Sequence, residues 1–179
     1  LGEVDRAVCS ADPQVVAGRV NLEGRVLRDP ALPGMAPAQR GAIYDEMNRV
    51  IAALHKVDVQ AAGLADYGKP GNYFERQIGR WGKQYLASVT QPIEAMDRLM
   101  QWLPVHMPAG ARDDTKVSVV HGDYRLDNLV FHPTEPRVLA VLDWELSTLG
   151  HPLADFSYHC MAWHIPPGAF RGIGGLDHA

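Results

Sequence analysis

The sequence predicts an α+β fold in which helices come first and short strands follow. Three stretches between residues 38 and 103 repeat apolar residues at intervals of three and four, which indicates amphipathic helices. Three short apolar runs then lie between residues 117 and 142, which favours strands. A last helical pattern follows Pro152. Because 46% of the 179 residues are hydrophobic, the chain can bury one sizeable core, and a single domain is the default expectation.

The first predicted helix runs from Ala38 to about His55, where the following residues share a face: Ile43, Met47, Val50, Ile51 and Leu54. A turn at 66–71 precedes the second helix, in which the apolar spacing is carried by Phe74, Ile78, Trp81 and Tyr85. The third helix is predicted to begin at Pro92, since proline is favoured at the first helical position, and Pro104 is expected to stop it.

The predicted strands are residues 117–120, 128–131 and 138–142, and turn residues between the last two make a β-hairpin. Pro152 is expected to open the last helix, whose apolar face would hold Leu153, Phe156, Cys160 and Trp163. Residues 1–35 carry scattered glycine and proline and are interpreted as irregular connecting structure.

Composition excludes several classes of function. Lys and Arg total 17 against 21 Asp and Glu, so the chain lacks the basic excess of a nucleic-acid binder. Its two cysteines, Cys9 and Cys160, are far apart, which argues against a disulfide framework and favours a reducing, cytoplasmic setting. We find no apolar run of about 20 residues and no signal peptide, so we expect a soluble protein with no membrane partner. The oligomeric state is not predicted.

The segment His-Gly-Asp-Tyr-Arg-Leu-Asp-Asn at residues 121–128 lies between two predicted strands, where polar groups can be rigid yet exposed. Asp123 and Asn128 have the spacing of the kinase loop, in which the Asp accepts a hydroxyl proton and the Asn binds magnesium. Asp143 follows a predicted strand fifteen residues later and would be a second magnesium ligand. Alone, Asp143 would be interpreted as a turn residue; its coincidence with the loop favours the kinase interpretation.

Three motifs together resemble the aminoglycoside phosphotransferases and their choline-kinase-like relatives: residues 121–128, Leu-Asp-Trp-Glu at 142–145, and Gly-His-Pro-Leu-Ala-Asp at 150–155. Each motif is weak alone, but their order and spacing are specific. More narrowly, the chain looks like the kinase-like domain associated with certain acyl-CoA dehydrogenases, on residues 102–150 together with Tyr73, Arg76, Gln77 and Trp81.

The resemblance implies a protein-kinase-like fold. Residues 36–179 would form the mainly helical C-lobe, incomplete at its C-terminus, and residues 1–35 a remnant of the hinge and N-lobe. It implies an ATP- and magnesium-dependent phosphotransferase that acts on a hydroxyl group of a small molecule. ATP could be replaced by another nucleoside triphosphate.

The site residues follow from the same resemblance. Asp123 would be the catalytic base, and Asn128 and Asp143 would hold magnesium on the nucleotide phosphates. Glu145 could support the metal, and Asp155 would brace the catalytic loop. His121 is interpreted as a buried hydrogen-bonding brace, because Asp123 already fills the role of base.

The sequence departs from the family pattern in places. His151 stands where an Asp commonly precedes the Pro, and because His is a poor N-cap the start of that helix is open to doubt. Residues 17–21 replace an apolar strand that leads into the hinge. We find no glycine-rich loop and no strand lysine with a partner glutamate, so we expect an N-lobe that is largely absent and a fragment that is inactive alone.

Other functions remain open. A kinase-fold binding or regulatory module without turnover would explain the missing N-terminal elements. A metal-dependent hydrolase could use His121, Asp123 and Asp143, but would hold its ions by several protein ligands. A protein kinase fits less well, because Gly122 stands where those enzymes commonly carry Arg. The acceptor is open between a hydroxyacyl-CoA or related hydroxy acid and an aminoglycoside.

The remaining polar and aromatic residues have ordinary explanations. Trp81, Tyr85 and Trp102 lie on apolar helical faces and are expected to pack in the core. His55 is interpreted as a helix-end residue. Gln77, with its neighbour Arg76, is assigned to a solvated helix face, although contact with an acceptor is an alternative.

Overall fold

The computed structural model describes residues 22–176. The features predicted near residues 17–21, and Cys9, lie outside this part of the chain. The described helices are α1 (Pro37–His55), α2 (Tyr73–Ser88), α3 (Glu94–Val105) and α4 (Leu153–Cys160), and the strands are β1 (Ser118–Val120), β2 (Leu129–Phe131), β3 (Val138–Val141) and β4 (Thr148–Gly150). The predicted order of three helices, strands and a final helix is confirmed. None of the described helices combines the length and apolar character needed to cross a membrane.

The strands form two small antiparallel sheets. β2 and β3 make the predicted hairpin, with Leu129 opposite Val141 and an irregularity in register after Val130. β1 pairs with β4, with Val119 opposite Leu149. β4 was not predicted from the sequence, because three residues are too few for an alternating pattern to stand out.

The core lies where α1 packs against the hairpin and the β1–β2 loop. Buried apolar side chains from these elements form one cluster: Leu32, Ile43, Met47, Ile51, Tyr124, Leu126, Leu129, Phe131 and Val141. Tyr124 is fully buried, and its hydroxyl donates a hydrogen bond of 2.8 Å to the carbonyl oxygen of Met47. Full burial of one such side chain contributes about 1.5–3 kcal/mol. The β1–β2 loop is therefore anchored in the core by Tyr124.

Helices α2 and α3 differ from their prediction. Neither has a buried residue, and Trp81 and Trp102 are each 50% exposed, so their assignment to the core is wrong. Apolar periodicity predicts which residues share a face, but not whether another element covers that face. The bounds of α3 also differ, because it begins at Glu94, after Pro92, and includes Pro104 in its last turn.

Helix α4 buries a different face from the one predicted. Leu153 and Phe156 are 41% and 49% exposed, whereas the polar Asp155 and His159 are buried. The reason is that Asp155 is bonded to the β1–β2 loop, so the polar face of the helix is turned inward.

The start of α4 is well defined despite the histidine that precedes it. The Nδ1 atom of His151 accepts a hydrogen bond of 3.2 Å from the backbone N–H of Leu153, as an Asp carboxylate would. With Nδ1 as acceptor, the other ring nitrogen donates to the carbonyl oxygen of Gly110 at 2.9 Å. The doubt that the sequence raised about this helix start is thereby removed.

Candidate active site

Asp123 and Asn128 lie in direct contact on the loop between β1 and β2. The Asn128 side-chain nitrogen donates to the Asp123 carbonyl oxygen at 2.8 Å and to its carboxylate Oδ2 at 2.9 Å. Both bonds use the amide nitrogen of Asn128, so its Oδ1 atom takes no part in the contact with Asp123. Asn128 is buried in the short 3₁₀ turn that leads into β2, so its orientation is fixed by the hairpin.

His121 ties this loop to the end of β3. The side chain is fully buried, and Nδ1 accepts from the backbone N–H of Asp123 at 3.2 Å. Since Nδ1 is an acceptor, Nε2 carries the proton and donates to the carbonyl oxygen of Leu142 at 2.7 Å. The ring also packs against Trp144 with centroids 4.9 Å apart. His121 therefore contacts the residues on both sides of Asp143.

Asp143 occupies the turn after β3 in a left-handed backbone conformation, with φ of 64°. Such a conformation costs on the order of 1 kcal/mol for a residue with a side chain and is tolerated best by Asn and Asp. The N–H of the preceding Leu142 donates to the Asn128 carbonyl oxygen at 2.8 Å. Asp143 is exposed, and Glu145 is exposed on the same turn. Both carboxylates are accessible to a ligand.

Gly122 brings the loop and this turn into contact. Its φ is 86°, and a Cβ atom there would lie 2.7 Å from the carbonyl oxygen of Leu146. A side chain would therefore be both strained and obstructed. Only glycine allows the backbone beside Asp123 to approach the turn that carries Asp143.

Asp155 holds the same loop from α4. This carboxylate is 1% exposed and accepts hydrogen bonds from the backbone N–H groups of His121, at 2.7 Å, and Gly122, at 2.8 Å. His55 Nε2 lies 3.0 Å from its Oδ2 atom. These contacts compensate for the burial of the carboxylate. Sequence reasoning missed His55, because the 100 residues between it and Asp155 give no sequence signal.

Charged side chains surround the exposed edge of the loop. The Nε atom of Arg125 lies 3.2 Å from Asp123 Oδ2 and 3.4 Å from Asp127 Oδ1. This nitrogen is buried, and neither contact has the geometry of a hydrogen bond. Asp127 also pairs with Arg171, and this hydrogen bond raises the pKa of the Arg171 guanidinium. The Arg125 contact is therefore mainly electrostatic, and it places a positive charge beside Asp123.

An open groove of about 510 Å³ begins beside Gly122. Aromatic and apolar side chains form most of its walls: Tyr73, Phe74, Trp81, Leu146, Ala154, Tyr158 and Met161. Arg80 and His164 supply cationic or ionisable nitrogen, and no carboxylate lines the groove within the described chain. Gln77 also lines it, and its Oε1 atom is buried without a hydrogen-bond partner. The sequence had assigned Gln77 to a solvated face and Trp81 to the core; the structure places both in this groove.

The oxygen donors suit a magnesium ion that is shared with phosphates. Asn128 Oδ1 and the Asp143 carboxylate are hard oxygen ligands of the type that Mg²⁺ binds. Within residues 22–176, no group of three or more His, Cys, Asp and Glu side chains could hold a metal ion.

The helices, the small antiparallel sheets and the loop geometry define an α+β, kinase-like fold. Residues 20–176 match the APH family, the phosphotransferase enzyme family, and the chain belongs to it. The resemblance drawn from the three sequence motifs is thereby confirmed.

Solved structures of this fold include a Ralstonia eutropha protein provisionally described as an aminoglycoside phosphotransferase. It is 73% identical, with a TM-score of 0.83 over 88% of this chain and 47% of that chain. An aminoglycoside-3'-phosphotransferase of type VIII is 18% identical, with a TM-score of 0.56, and covers 76% of this chain and 50% of that chain. At that identity the likeness shows the fold alone.

Two sequence relatives carry a dehydrogenase name. Mouse acyl-CoA dehydrogenase family member 10 is 53% identical over 143 residues, which are 80% of this chain and 13% of that protein. Human acyl-CoA dehydrogenase family member 11 is 44% identical over 146 residues, which are 82% of this chain and 18% of that protein. The chain thus spans less than a fifth of the length of these relatives.

Proposed function

We propose that the chain contributes the catalytic loop of an ATP- and Mg²⁺-dependent phosphotransferase that acts on a hydroxyl group of a small molecule. The observation that carries this proposal is the loop geometry. Asn128 bonds directly to Asp123, and His121 ties the same loop to the residues that flank Asp143. Membership of the phosphotransferase enzyme family supports it.

Each site residue has a distinct role in this proposal. The Asp123 carboxylate accepts the proton of the attacking hydroxyl, and Asn128 keeps that carboxylate in place through its amide nitrogen. Asn128 Oδ1 and Asp143 would hold the magnesium ion, and Glu145 would support it from the same turn. When bound there, the metal–nucleotide complex would supply the phosphoryl group, and the ion would neutralise its charge. His121 and Asp155 fix the loop on which these side chains stand.

We also propose the division of the chain into lobes. Residues 36–179 would be the helical C-lobe, and residues 1–35 a hinge or N-lobe remnant. The packing of α1 against the β2–β3 hairpin supports the C-lobe as one unit, and Leu32 of the remnant is buried in the same core.

For the acceptor, we propose a hydroxyacyl-CoA or related hydroxy acid rather than an aminoglycoside. The groove beside Gly122 is mostly apolar, with Arg80 and His164 on its walls and no carboxylate within the described chain. Aminoglycosides are polycations and need acidic partners, whereas an apolar chain with an anionic group complements this groove. The names of the acyl-CoA dehydrogenase relatives support the same choice.

The test is a phosphoryl-transfer assay with labelled ATP on the full-length protein. The acceptor panel contains a hydroxyacyl-CoA, the free hydroxy acid and an aminoglycoside. We expect label and the mass of one phosphoryl group on the hydroxyacyl compound, and transfer that is lower by roughly 10²- to 10⁴-fold in Asp123→Asn. Nucleotide binding without transfer to any acceptor would instead support a regulatory module. Efficient transfer to the aminoglycoside alone would contradict the proposed acceptor.

A further inference from the structure

Tyr158 of α4 faces the catalytic loop. It lies three residues after Asp155, and residues at this spacing share one side of a helix. Asp155 is bonded to the backbone of His121 and Gly122, so this side of α4 is the one that meets the loop. Tyr158 is therefore presented to the residue that follows them, Asp123.

The ring of Tyr158 lines two cavities at once. On one side is the open groove beside Gly122. On the other is a smaller pocket of about 70 Å³, whose walls include Arg125 and Asp127. Asp123 lies in the chain between Gly122, beside the groove, and Arg125, in the wall of the smaller pocket. The ring thus forms a partition beside the proposed base, close enough to the Asp123 carboxylate for that group to affect the pKa of the phenol.

The hydroxyl is a donor at neutral pH. Burial raises the pKa of Tyr158 above its ordinary value, and the nearby Asp123 carboxylate raises it further. The phenol therefore keeps its proton, and the carboxylate is the acceptor.

A hydrogen bond from Tyr158 would differ in kind from those made by Asn128. Asn128 belongs to the same loop as Asp123, so its hydrogen bonds fix the carboxylate relative to the loop. Tyr158 belongs to α4, which also forms a wall of the groove. A bond from Tyr158 would fix the carboxylate relative to a molecule bound in the groove.

We propose that Tyr158 is a positioning residue, which holds the Asp123 carboxylate toward an acceptor hydroxyl in the groove beside Gly122. The inference rests on the proposed function for its kinetic consequence. The geometric part, that Tyr158 sets the orientation of Asp123, stands without it.

The kinetic test is Tyr158→Phe in the full-length protein, assayed with ATP and the hydroxyacyl-CoA acceptor. Phenylalanine keeps the ring in both cavity walls and removes only the hydroxyl. We expect kcat to fall about tenfold, the effect of one hydrogen bond that acts on the reacting group, with KM for ATP unchanged. In the Asp123→Asn background the same change should have no further effect, because the carboxylate to be positioned is gone.

Tyr85→Phe is the matched control. The Tyr85 hydroxyl on α2 is buried without a hydrogen-bond partner and lies outside the groove, so its removal should leave kcat unchanged. The proposal is overturned if Tyr158→Phe keeps kcat within twofold of the parent, or raises only KM for the acceptor. The proposal is also overturned if Tyr158→Phe lowers kcat by the same factor in the Asp123→Asn background as in the parent protein.

A second measurement does not depend on turnover. Crystal structures of Tyr158→Phe and Tyr85→Phe should show the same loop backbone, with the Asp123 carboxylate rotated or less ordered only in Tyr158→Phe. An unchanged carboxylate in Tyr158→Phe would overturn the positioning role. If no acceptor is phosphorylated by the parent protein, the proposed function fails, and these structures still decide the role of Tyr158.

Discussion

The two acidic residues of the candidate site are held in different ways. Asp123 is partly buried and hydrogen-bonded to Asn128, whereas Asp143 is exposed in a left-handed turn. A carboxylate that is already bonded within the loop suits proton acceptance and orientation. An exposed carboxylate suits a metal ion. Their environments therefore predict different responses to the same substitution.

Replacing Asp123 by Asn should lower turnover by roughly 10²- to 10⁴-fold in the full-length protein, because it removes a general base while keeping the side-chain shape. Nucleotide affinity should change little. Replacing Asp143 by Asn should weaken both turnover and metal–nucleotide binding, and added magnesium should recover part of the loss. The measurement is kcat and nucleotide KM across a magnesium titration. Equal rescue of both variants by magnesium would make Asp123 a metal ligand and contradict the assigned roles.

Gly122 offers a test of the backbone geometry beside the base. Gly122→Ala should destabilise the fold by about 1–3 kcal/mol, because its positive φ and the nearby Leu146 carbonyl oppose a Cβ atom. For a chain of this size the melting temperature should fall by roughly 2–4 °C per kcal/mol. Gly79→Ala on α2 is the control, since a Cβ there meets nothing within 4 Å. That change should be neutral or stabilising, by up to about 1 kcal/mol. Equal melting temperatures for the two variants would contradict the geometry.

At the scale of elements, α4 connects the core to the loop. Its buried face carries Asp155, which bonds the loop, and His159, whose ring packs near those of Tyr124 and Trp163 at centroid distances of 5.9 and 5.5 Å. Burial lowers the pKa of His159 below its ordinary value of 6.5. The neutral ring is therefore the form that the folded helix accepts.

This depressed pKa predicts how stability depends on pH. His159 contributes stability that is present above the unfolded pKa of about 6.5. This stability is lost as the pH falls from there through the lower folded pKa, because the unfolded chain binds the proton more tightly than the folded chain does. His159→Phe removes this dependence, which can reach at most about 1.4 kcal/mol per pH unit. Urea unfolding at pH 7.5 and pH 5.5 should show a larger loss for the parent than for the variant. An equal loss would show that His159 is not the source.

The elements that the sequence could predict are those with a repeated local pattern. Helix α1 and the β2–β3 hairpin were predicted with nearly correct bounds, since the apolar spacing of α1 and the turn residues after Phe131 are local signals. The polar face of α4 could not be predicted in this way. Asp155 and His159 are buried because of residues far away in the chain, and periodicity counts such polar residues as exposed.

The same distinction applies to the candidate site. The order and spacing of Asp123, Asn128 and Asp143 marked one loop and one turn, and contacts through His121 join them. Neither His55 nor Tyr158 could be linked to the site from the sequence, because each lies on a helix that is distant from the loop in the chain. Gln77 was named as a possible acceptor contact, but sequence alone could not tell a groove wall from a solvated face.

At the scale of the whole molecule, much apolar surface on α2 and α3 is uncovered. Leu86, Trp102 and Val105 are 62%, 50% and 72% exposed. The proposed catalytic residues lie on one loop and one turn. No glycine-rich phosphate-binding loop occurs among the described residues. The chain also covers only 47% of its Ralstonia eutropha structural relative. We therefore expect nucleotide binding to require more than these 179 residues.

The isolated 179-residue chain should fold yet bind ATP weakly, with a Kd of about 1 mM or higher, because Asn128 and Asp143 can contact only the metal bound to the phosphates. Calorimetric titration of Mg-ATP into this chain measures the affinity. The Ralstonia eutropha relative at full length is the matched comparison, since it is 73% identical over the shared part. We expect tighter binding there, because precise positioning of the phosphates needs ligands from both sides of the nucleotide. Micromolar affinity of the isolated chain would contradict this prediction and would place the whole nucleotide site within it.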